Sequence, residues 1–187
     1  MLLNAAPPAA SQWVQRFAGL IRPGGRVLDV ACGSGRHLRW LAAQGFSLTG
    51  IDRDPAAAEG APAGARVVIA DIEAAPWPLA AERFDGVVVT NYLWRALWPA
   101  LRGALADDGV LIYETFARGQ ETVGKPSRPD FLLQPGELLS AFAGLHVVAF
   151  EDGFEATGPR FVQRIVAVNA PGAPAEPRRY GLGGPGR

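Results

Sequence analysis

Short apolar runs alternate along the chain with segments in which apolar residues recur at helical spacing. Runs such as RVVIA and FDGVVVT show almost no polar alternation, which is typical of strands covered on both faces. The pattern predicts strands at residues 26–30, 47–51, 66–70, 84–90, 110–114, 145–151 and 161–168. It predicts helices at residues 11–21, 36–45, 55–59, 92–106 and 134–143. Strands that alternate with helices indicate an α/β fold, in which helices cover both faces of a mainly parallel sheet.

Three segments depart from this alternation. Pro99 lies inside the predicted helix 92–106 and predicts a kink or a break near Trp98. Residues 116–135 form a polar stretch with several glycines and prolines, longer than most connections in compact domains. Residues 169–187 are rich in proline and glycine without a hydrophobic period, which predicts a disordered tail. We therefore expect one domain over residues 1–168, which includes an N-terminal arm and helix at residues 1–22.

Composition excludes several classes of protein. The 187 residues suffice for one core, and the 18 basic residues balance the 18 acidic ones, so a surface that tracks nucleic-acid phosphates is not expected. Cys32 is the single cysteine, which excludes an intramolecular disulfide and a four-cysteine metal site. No metal site is predicted. No apolar run approaches the roughly 20 residues of a membrane span, and the N-terminal residues lack the basic flank of a signal peptide. These features predict a cytoplasmic protein without a membrane partner.

The stretch VLDVACGSGRH at residues 27–37 ends a predicted strand in a glycine turn. Gly33 and Gly35 stand between this strand and the next helix, so backbone amides and the positive end of the helix face an opening without side chains. A tight turn without a ligand is an equally good interpretation of the two glycines alone, because a lone Gly-x-Gly is a weak signal.

Polar residues follow the next three predicted strands. Asp52 ends the second strand in GIDRD, Asp71 follows the third in VVIADIE, and Asn91 follows the fourth in VVVTNYL. Each of them alone is a common turn former or helix cap. The carboxyl ends of parallel strands meet at one edge of a sheet, where α/β proteins bind ligands. Together with the glycine turn, these residues predict a nucleotide-like ligand.

Two further residues bear on which nucleotide-like ligand is bound. Leu38 occupies the position at which a dinucleotide-binding fingerprint would have its third glycine. Asp29, beside the glycine turn, suits a ligand with a cationic end rather than a pyrophosphate. VLDVACGSGRH, GIDRD, ADIE and FDGVVVTNYL resemble, in order and spacing, the successive ligand-binding motifs of class I S-adenosylmethionine-dependent methyltransferases. The resemblance covers roughly residues 11–168.

The resemblance implies a Rossmann-like, doubly wound sheet in three layers, mainly parallel with an antiparallel last strand, and S-adenosyl-L-methionine as the cofactor. The cofactor-binding residues that it implies are Asp29, Ala31, Gly33, Gly35, Arg36, Asp52, Arg53, Asp71, Ile72 and Asn91. Asp29 would lie under the methionine end, and Asp52 would accept hydrogen bonds from both ribose hydroxyls. Asp71 would receive the adenine amino group, and Ile72 would offer its amide and an apolar wall to the ring. Many members of the family have glycine at the position of Ala31, but alanine is small enough to be compatible with binding.

Methyl transfer from a sulfonium is an in-line displacement in which the enzyme positions the nucleophile and excludes water. A catalytic base is needed only when the acceptor is protonated at neutral pH. The candidate catalytic residues are Tyr92, Glu114 and His37. Tyr92 and Glu114 end the fourth and fifth strands, where an acceptor would lie. His37 is either polar lining of the site or a solvated helix residue.

The absence of one motif indicates the class of acceptor. Enzymes of this fold that methylate amino groups of DNA bases or of protein glutamine usually carry Asn/Asp-Pro-Pro-aromatic after the fourth strand, where this chain has NYLW at residues 91–94. With balanced charge, a small-molecule acceptor is expected and a nucleic acid is not.

The segment FARGQETVGKPSRPDFLLQPGELLSAF resembles the corresponding region of bacterial tellurite-resistance-type methyltransferases. We expect the loop 116–135 to form a lid over cofactor and acceptor, because long loops at strand ends often do so. The lid residues expected are Arg118, Lys125, Arg128, Phe131 and the N-terminal arm around Trp13. A partly disordered surface loop is the alternative.

Two other functions stay open on the sequence. A protein that binds S-adenosylmethionine or S-adenosylhomocysteine without turnover would also need this site. The sequence offers no obvious catalytic base, which is compatible with this alternative. A dehydrogenase-like nucleotide binder is disfavoured by Leu38. The sequence does not predict the oligomeric state.

Overall fold

A computed structural model of the chain describes residues 9–172 and 177–182. Seven strands form one sheet in the order β3-β2-β1-β4-β5-β7-β6. The strands are β1 Arg26–Val30, β2 Ser47–Asp52, β3 Arg66–Ile69, β4 Phe84–Thr90, β5 Leu105–Phe116, β6 His146–Glu155 and β7 Arg160–Val168. The α-helices are α1 Gln12–Phe17, α2 Arg36–Ala43, α3 Ala56–Gly60, α4 Trp98–Gly103 and α5 Glu137–Ala141.

The direction of the strands confirms the predicted fold. β1 pairs in parallel with β2 and β4, and the pairs β2–β3 and β4–β5 are also parallel. The last strand, β7, runs antiparallel to both of its neighbours, β5 and β6. The chain order reverses between β1 and β4, so the ligand edge of a doubly wound sheet lies at the carboxyl ends of these strands.

Two apolar layers cover the sheet. One contains residues of α1 and α2 with side chains such as Val88 and Ile112, and the other contains residues of α4 and α5 with side chains such as Val87 and Tyr113. Successive residues of a strand face opposite layers, so Val88, Val110 and Ile112 lie on the α1 face. Phe84, on the far side of the irregularity in the β4–β5 pairing, lies on the α4 face although its number is even. This alternation decides which polar residues at the strand ends share a face.

The helical segment breaks near Trp98, as Pro99 predicted, because a 3-10 turn ends at Leu97 and α4 begins at Trp98. A 3-10 turn covers Arg95–Leu97, and Pro99 lies in the first turn of α4, where its missing N–H costs no hydrogen bond. The single helix expected at residues 92–106 is therefore wrong. Strand β5 also begins before the predicted residue 110, because the chain pairs with β4 on both sides of an irregularity that holds Asp108 at φ +61°.

Trp13 is a core residue of α1. Its side chain is 4% exposed, and its ring packs edge-on against Phe17 with centroids 4.6 Å apart. The expectation that Trp13 helps to cover the ligand site is therefore wrong. Residues 1–8 of the expected N-terminal arm lie outside the described residues.

Part of the expected disordered tail lies against the domain. Tyr180 packs on His146 with ring centroids 4.9 Å apart, and Arg16 donates a hydrogen bond of 3.1 Å to the carbonyl of Leu182. The ring of Tyr180 in this proline-rich segment thus stacks on the imidazole of His146, in contrast to the disorder expected for the segment. The described residues contain no helix long and apolar enough to cross a membrane.

Candidate functional site

The carboxyl ends of β1 and β2 and the segments after β3 and β4 enclose a cavity of about 330 Å³, here called the first cavity. Its lining consists of Ala31, Asp52, Arg53, Asp71, Ile72, Glu73, Tyr92 and Phe131. Six of these eight residues are ones that the sequence predicted for the site. The predicted residues thus meet at one place, because parallel strands bring their carboxyl ends to the same edge of the sheet.

The two glycines of the turn, Gly33 and Gly35, meet different structural requirements. Gly33 has φ +50°, and a Cβ built on it would meet nothing within 4 Å. Gly35 has φ +72°, and its Cβ would lie 2.7 Å from the carbonyl oxygen of Gly60. Gly33 therefore leaves open space beside the cavity, whereas Gly35 allows the turn to pack backbone against backbone on the end of α3.

Gly50 on β2 explains why the chain can have Leu38 where a dinucleotide fingerprint has glycine. A Cβ on Gly50 would lie 2.8 Å from Cδ1 of Leu38 and 2.9 Å from Sγ of Cys32. The close packing of helix on strand that the third glycine normally allows is here provided by a glycine on the strand. Leu38 is fully buried in this contact.

Asp29 is the most unusual charged group of the site. Its side chain is 1% exposed, and Oδ2 has no hydrogen-bond partner among the described residues. Burial raises the pKa of Asp29 to about 8, while the charge of Arg36 opposes and that of Asp52 adds to the increase. A buried carboxyl without a partner is costly, and a cationic ligand group beside Oδ2 would remove this cost. The site therefore fits the amino group of S-adenosylmethionine.

Asp52 and Asp71 are both held by backbone amides. Asp52 Oδ2 accepts a hydrogen bond of 2.8 Å from the amide of Gly33, and its Oδ1 accepts one of 2.9 Å from the amide of Asp54. Asp71 Oδ1 caps the following turn by accepting from the amides of Glu73 and Ala74 at 3.0 and 3.1 Å. Carboxylate oxygens can accept more than one hydrogen bond, so both groups can also receive hydroxyl or amino donors.

His37 is buried rather than solvated. Its Nε2 accepts a hydrogen bond of 3.2 Å from the amide of Ser11, and Nδ1 lies 3.4 Å from Thr90 Oγ1 and 4.0 Å from Asp29 Oδ2. Burial lowers the pKa of His37 to about 4, which leaves the ring neutral at pH 7. The interpretation of His37 as a solvated helix residue is therefore wrong, and its ring connects the N-terminal arm to the acid under the site.

Glu114 lies on the α1 face of β5. It is 1% exposed, Oε2 accepts from Nε of Arg164, and Oε1 accepts a hydrogen bond of 2.9 Å from Ser11 Oγ. Arg160 lies 3.7 Å from the same carboxylate. Among the described residues, neither Glu114 nor His37 lines the first cavity.

Asn91 and Tyr92 carry the chain away from β4. Asn91 has φ +54°, a conformation that asparagine tolerates better than most residues, and its amide donates to the carbonyl of Glu114 at 2.9 Å. The hydroxyl of Tyr113 donates to the carbonyl of Tyr92 at 2.9 Å. The buried hydroxyl of Tyr92 has no hydrogen-bond partner in the described part of the chain. Burial, followed by the charge of Glu73, raises the pKa of Tyr92.

A second cavity of about 270 Å³ adjoins the first. Its lining consists of Glu73, Asn91, Tyr92, Leu93, Thr115, Phe116, Pro126 and Phe131. Glu73, Tyr92 and Phe131 line both cavities. Sequence reasoning assigned Asp71 and Ile72 in ADIE but missed Glu73, which directly follows them.

The loop 116–135 is anchored near both of its ends. Gln120 is buried, and its side chain donates to the carbonyl of Lys125 and accepts from the amide of Phe161. Arg95 pairs with Glu137 and also donates to the carbonyls of Asp130 and Leu132.

Of the predicted lid residues, Phe131 lines both cavities, and the guanidinium of Arg128 lies 5.2 Å from its ring centroid. Within the described part of the chain, Arg118 and Lys125 line neither cavity.

Ala31, where many members of the family have glycine, has a backbone conformation that favours glycine, and this gives a testable prediction. Its φ of +54° lies in the left-handed region, which costs an alanine about 1 kcal/mol relative to glycine. We expect Ala31→Gly to raise the free energy of unfolding by about 0.5–1 kcal/mol through relief of this strain. The greater entropy of glycine in the unfolded chain offsets part of the gain. Urea denaturation measures the change. Gly64, an exposed glycine with φ +85° and no neighbour within 4 Å of a Cβ, provides the matched control, because Gly64→Ala should lower stability. A destabilised Ala31→Gly protein would contradict the prediction.

Comparison with known proteins agrees with this geometry. A family model described as a methyltransferase domain matches residues 3–134. No curated protein matches the sequence.

Solved structures with a similar fold include three methyltransferases or methyltransferase-like proteins. TehB from Haemophilus influenzae has a TM-score of 0.66 at 18% identity over 81% of this chain and 59% of TehB. An S-adenosylmethionine-dependent methyltransferase from Mesorhizobium loti has a TM-score of 0.61 at 17% identity over 81% of this chain and 94% of the other. Coclaurine N-methyltransferase, bound to N-methylheliamine and S-adenosylhomocysteine, has a TM-score of 0.62 at 13% identity over 83% of this chain and 70% of the other.

Proposed function

Because the chain belongs to the methyltransferase-domain family, we propose that it transfers a methyl group from S-adenosylmethionine to a small-molecule acceptor. The observation that carries the cofactor assignment is the buried, unpartnered Oδ2 of Asp29 beside the glycine turn. Asp52, Asp71 and Ile72 line the first cavity at the positions that the family resemblance gives to the ribose and the adenine.

When bound, S-adenosylmethionine supplies a methyl group on a positively charged sulfur, which is already an activated leaving group. The chain's own residues then have to hold the donor, align the acceptor and exclude water. Asp29 holds the cationic amino group, and Asp52 orients the ribose through charge-assisted hydrogen bonds. Tyr92 and Phe131 line both cavities, so with the cofactor and acceptor bound they would lie between the two and would limit the access of water.

Two observations support a small acceptor. The second cavity holds about 270 Å³, a volume near the lower end of small-molecule sites. The chain has no excess of basic residues that would bind nucleic acid. Coclaurine N-methyltransferase, one of the similar structures, contains N-methylheliamine. The same proposal includes a cytoplasmic location and a single domain over residues 1–168 in which the loop 116–135 acts as a lid.

Asp52→Ala tests the cofactor site. We expect it to weaken S-adenosylmethionine binding by roughly 1.5–3 kcal/mol, because two charge-assisted hydrogen bonds to the ribose are lost. Calorimetric titration measures the change. Asp107→Asn removes an exposed carboxylate outside both cavities and should leave the affinity unchanged. An unchanged affinity of Asp52→Ala would remove the ribose assignment.

The acceptor proposal is tested by a screen of small amines, phenols, thiols and chalcogen anions, read by the release of S-adenosylhomocysteine. We expect turnover with at least one class, and reduced turnover by Tyr92→Phe with its cofactor affinity retained. Glu114→Gln, tested beside it, also needs an unfolding measurement because Glu114 is paired with Arg164. Cofactor binding without turnover for any acceptor would favour a binding protein over an enzyme of small molecules.

A further inference from the structure

The second cavity carries charge of only one sign. Leu93, Phe116, Pro126 and Phe131 give it a mainly apolar wall. Glu73 is the single ionisable residue of the lining that is charged at neutral pH. An apolar pocket with one carboxylate disfavours an anionic ligand and stabilises a cationic one.

Glu73 is an exposed residue whose backbone is held by the turn after β3. Its amide donates to Oδ1 of Asp71 at 3.0 Å, so the turn after β3 holds the residue at the boundary of the two cavities. Glu73 therefore lies where the methyl donor and the acceptor would meet.

Tyr92 provides a second polar group at the same boundary. Its buried hydroxyl makes no hydrogen bond of normal geometry in the described chain, but the Glu73 carboxylate is close enough that, after burial, its charge and its side-chain hydrogen bond raise the pKa of this hydroxyl. An acceptor nitrogen between Glu73 and Tyr92 would provide a hydrogen-bond partner. The carboxylate and the hydroxyl together suit a nitrogen that carries hydrogen atoms.

Arg95, in the 3-10 turn after β4, and Arg128, in the loop 116–135, are both already paired. The Arg95 guanidinium pairs with Glu137 and two loop carbonyls, and that of Arg128 pairs with Asp130 at 2.9 Å. In the part of the chain that the structure describes, neither Arg95 nor Arg128 lines the second cavity. An acceptor carboxylate or phosphate would therefore meet Glu73 without a compensating cation.

We propose that Glu73 is a specificity-determining residue and that the acceptor is a small, mainly apolar amine. This inference rests on the proposed function, because it needs a methyl acceptor in the second cavity. The ammonium form of the acceptor binds beside the Glu73 carboxylate and loses one proton to it or to solvent.

The free amine then forms the new bond. Its nitrogen lone pair attacks the methyl carbon, the carbon–sulfur bond breaks, and its electron pair stays on sulfur. The products are S-adenosylhomocysteine and the protonated N-methylamine, so atoms and charge balance.

The test uses matched sets of probes on several apolar scaffolds. Each set contains an amine, the alcohol and the carboxylate, for example 2-phenylethylamine, 2-phenylethanol and 3-phenylpropanoate, with cyclohexyl and indolyl counterparts. Binding to the full chain saturated with S-adenosylhomocysteine is measured by calorimetry for wild type, Glu73→Gln and Glu59→Gln. Glu59 is an exposed glutamate of α3 that lines neither cavity.

We expect wild type and Glu59→Gln to bind the amines at least tenfold more tightly than the carboxylates. Glu73→Gln should lose most of this preference and keep its affinity for the alcohols. An unchanged preference in Glu73→Gln, or tighter binding of the carboxylates by wild type, would overturn the role of Glu73. If no probe of any charge binds, the small-molecule acceptor itself is contradicted, which separates the two failures.

Discussion

Asp29→Asn is expected to make the ligand-free protein progressively more stable than wild type as the pH rises from 5 to 7. The folded wild type keeps a proton on Asp29 up to its pKa of about 8, whereas the unfolded chain releases it near 3.8. Between these values the folded state binds more protons, so raising the pH lowers the stability of wild type. The difference in free energy of unfolding, variant minus wild type, should grow by roughly 1.4 kcal/mol per pH unit. Urea denaturation at pH 5, 6 and 7 measures it.

The neighbouring His37 does not mimic this slope. His37 has a pKa lowered to about 4, so it adds stability as the pH rises from 4 to 6.5. That contribution is present in both proteins and is absent from their difference. Asp107→Asn is the matched control and should show no such slope. A constant difference between Asp29→Asn and wild type would contradict the buried, protonated carboxyl.

The same variant should lose affinity for the cofactor. Removal of a charged hydrogen bond to the amino group is expected to weaken S-adenosylmethionine binding roughly 10–100-fold at pH 8. In wild type the affinity should rise nearly tenfold per unit between pH 6 and 7, because Asp29 must release its proton to bind a cation. Asp29→Asn should lack this dependence. A stabilised variant with unchanged affinity would show that Asp29 does not contact the ligand.

Gly33→Ala and Gly35→Ala are expected to separate binding from folding. Gly35→Ala places a Cβ 2.7 Å from the Gly60 carbonyl at φ +72°, and strain together with this overlap should lower the free energy of unfolding by about 2–4 kcal/mol. Gly33→Ala meets open space at φ +50°, so it should cost about 1 kcal/mol. Its new methyl group would stand where the ligand approaches, and it should reduce cofactor affinity more than tenfold.

Denaturation and calorimetry on both variants measure this contrast. Gly64→Ala, at φ +85° in open space, reports the cost of the backbone conformation alone and should match Gly33→Ala in stability while binding the cofactor normally. Equal stabilities of the two turn variants would contradict the packing of the turn on α3. Normal binding by Gly33→Ala would contradict the approach of the ligand at this glycine.

The sequence predicted the sheet because buried parallel strands have a simple pattern. β1, β4 and α2 begin at the predicted residues, and the antiparallel last strand agrees with the family resemblance. The break near Trp98 was predicted from Pro99. The extent of the helix at residues 92–106 was wrong, because a proline in the first turn of a helix and one in its interior look alike within an apolar stretch. β5 was predicted too short because its irregularity at Asp108 resembles a turn.

The residues that line the first cavity were predicted well, whereas the packing contacts around the glycine turn were not. Asp52, Asp71 and Ile72 end neighbouring strands, so topology alone brings them together. Spacing did not show that Gly35 packs against Gly60, since that contact joins the turn after β1 to the end of α3, which follows β2.

The roles of Glu114 and Glu73 depended on partners that local patterns do not contain. Glu114 meets Arg164 only through the antiparallel pairing of β5 with β7. Glu73 directly follows the more familiar Asp71 and Ile72 in ADIE, and the family motif assigns a role only to those two residues. Thr115 and Phe116 of β5 line the second cavity, whereas Glu114 does not.

Calorimetric titration of the wild-type chain at pH 8 with S-adenosylmethionine, and separately with NAD, tests the central claim most directly. We expect saturable binding of one S-adenosylmethionine per chain and no measurable binding of NAD, because Asp29 suits a cationic ligand and Leu38 fills the place of the third glycine. Saturable binding of NAD without binding of S-adenosylmethionine would contradict the methyltransferase site.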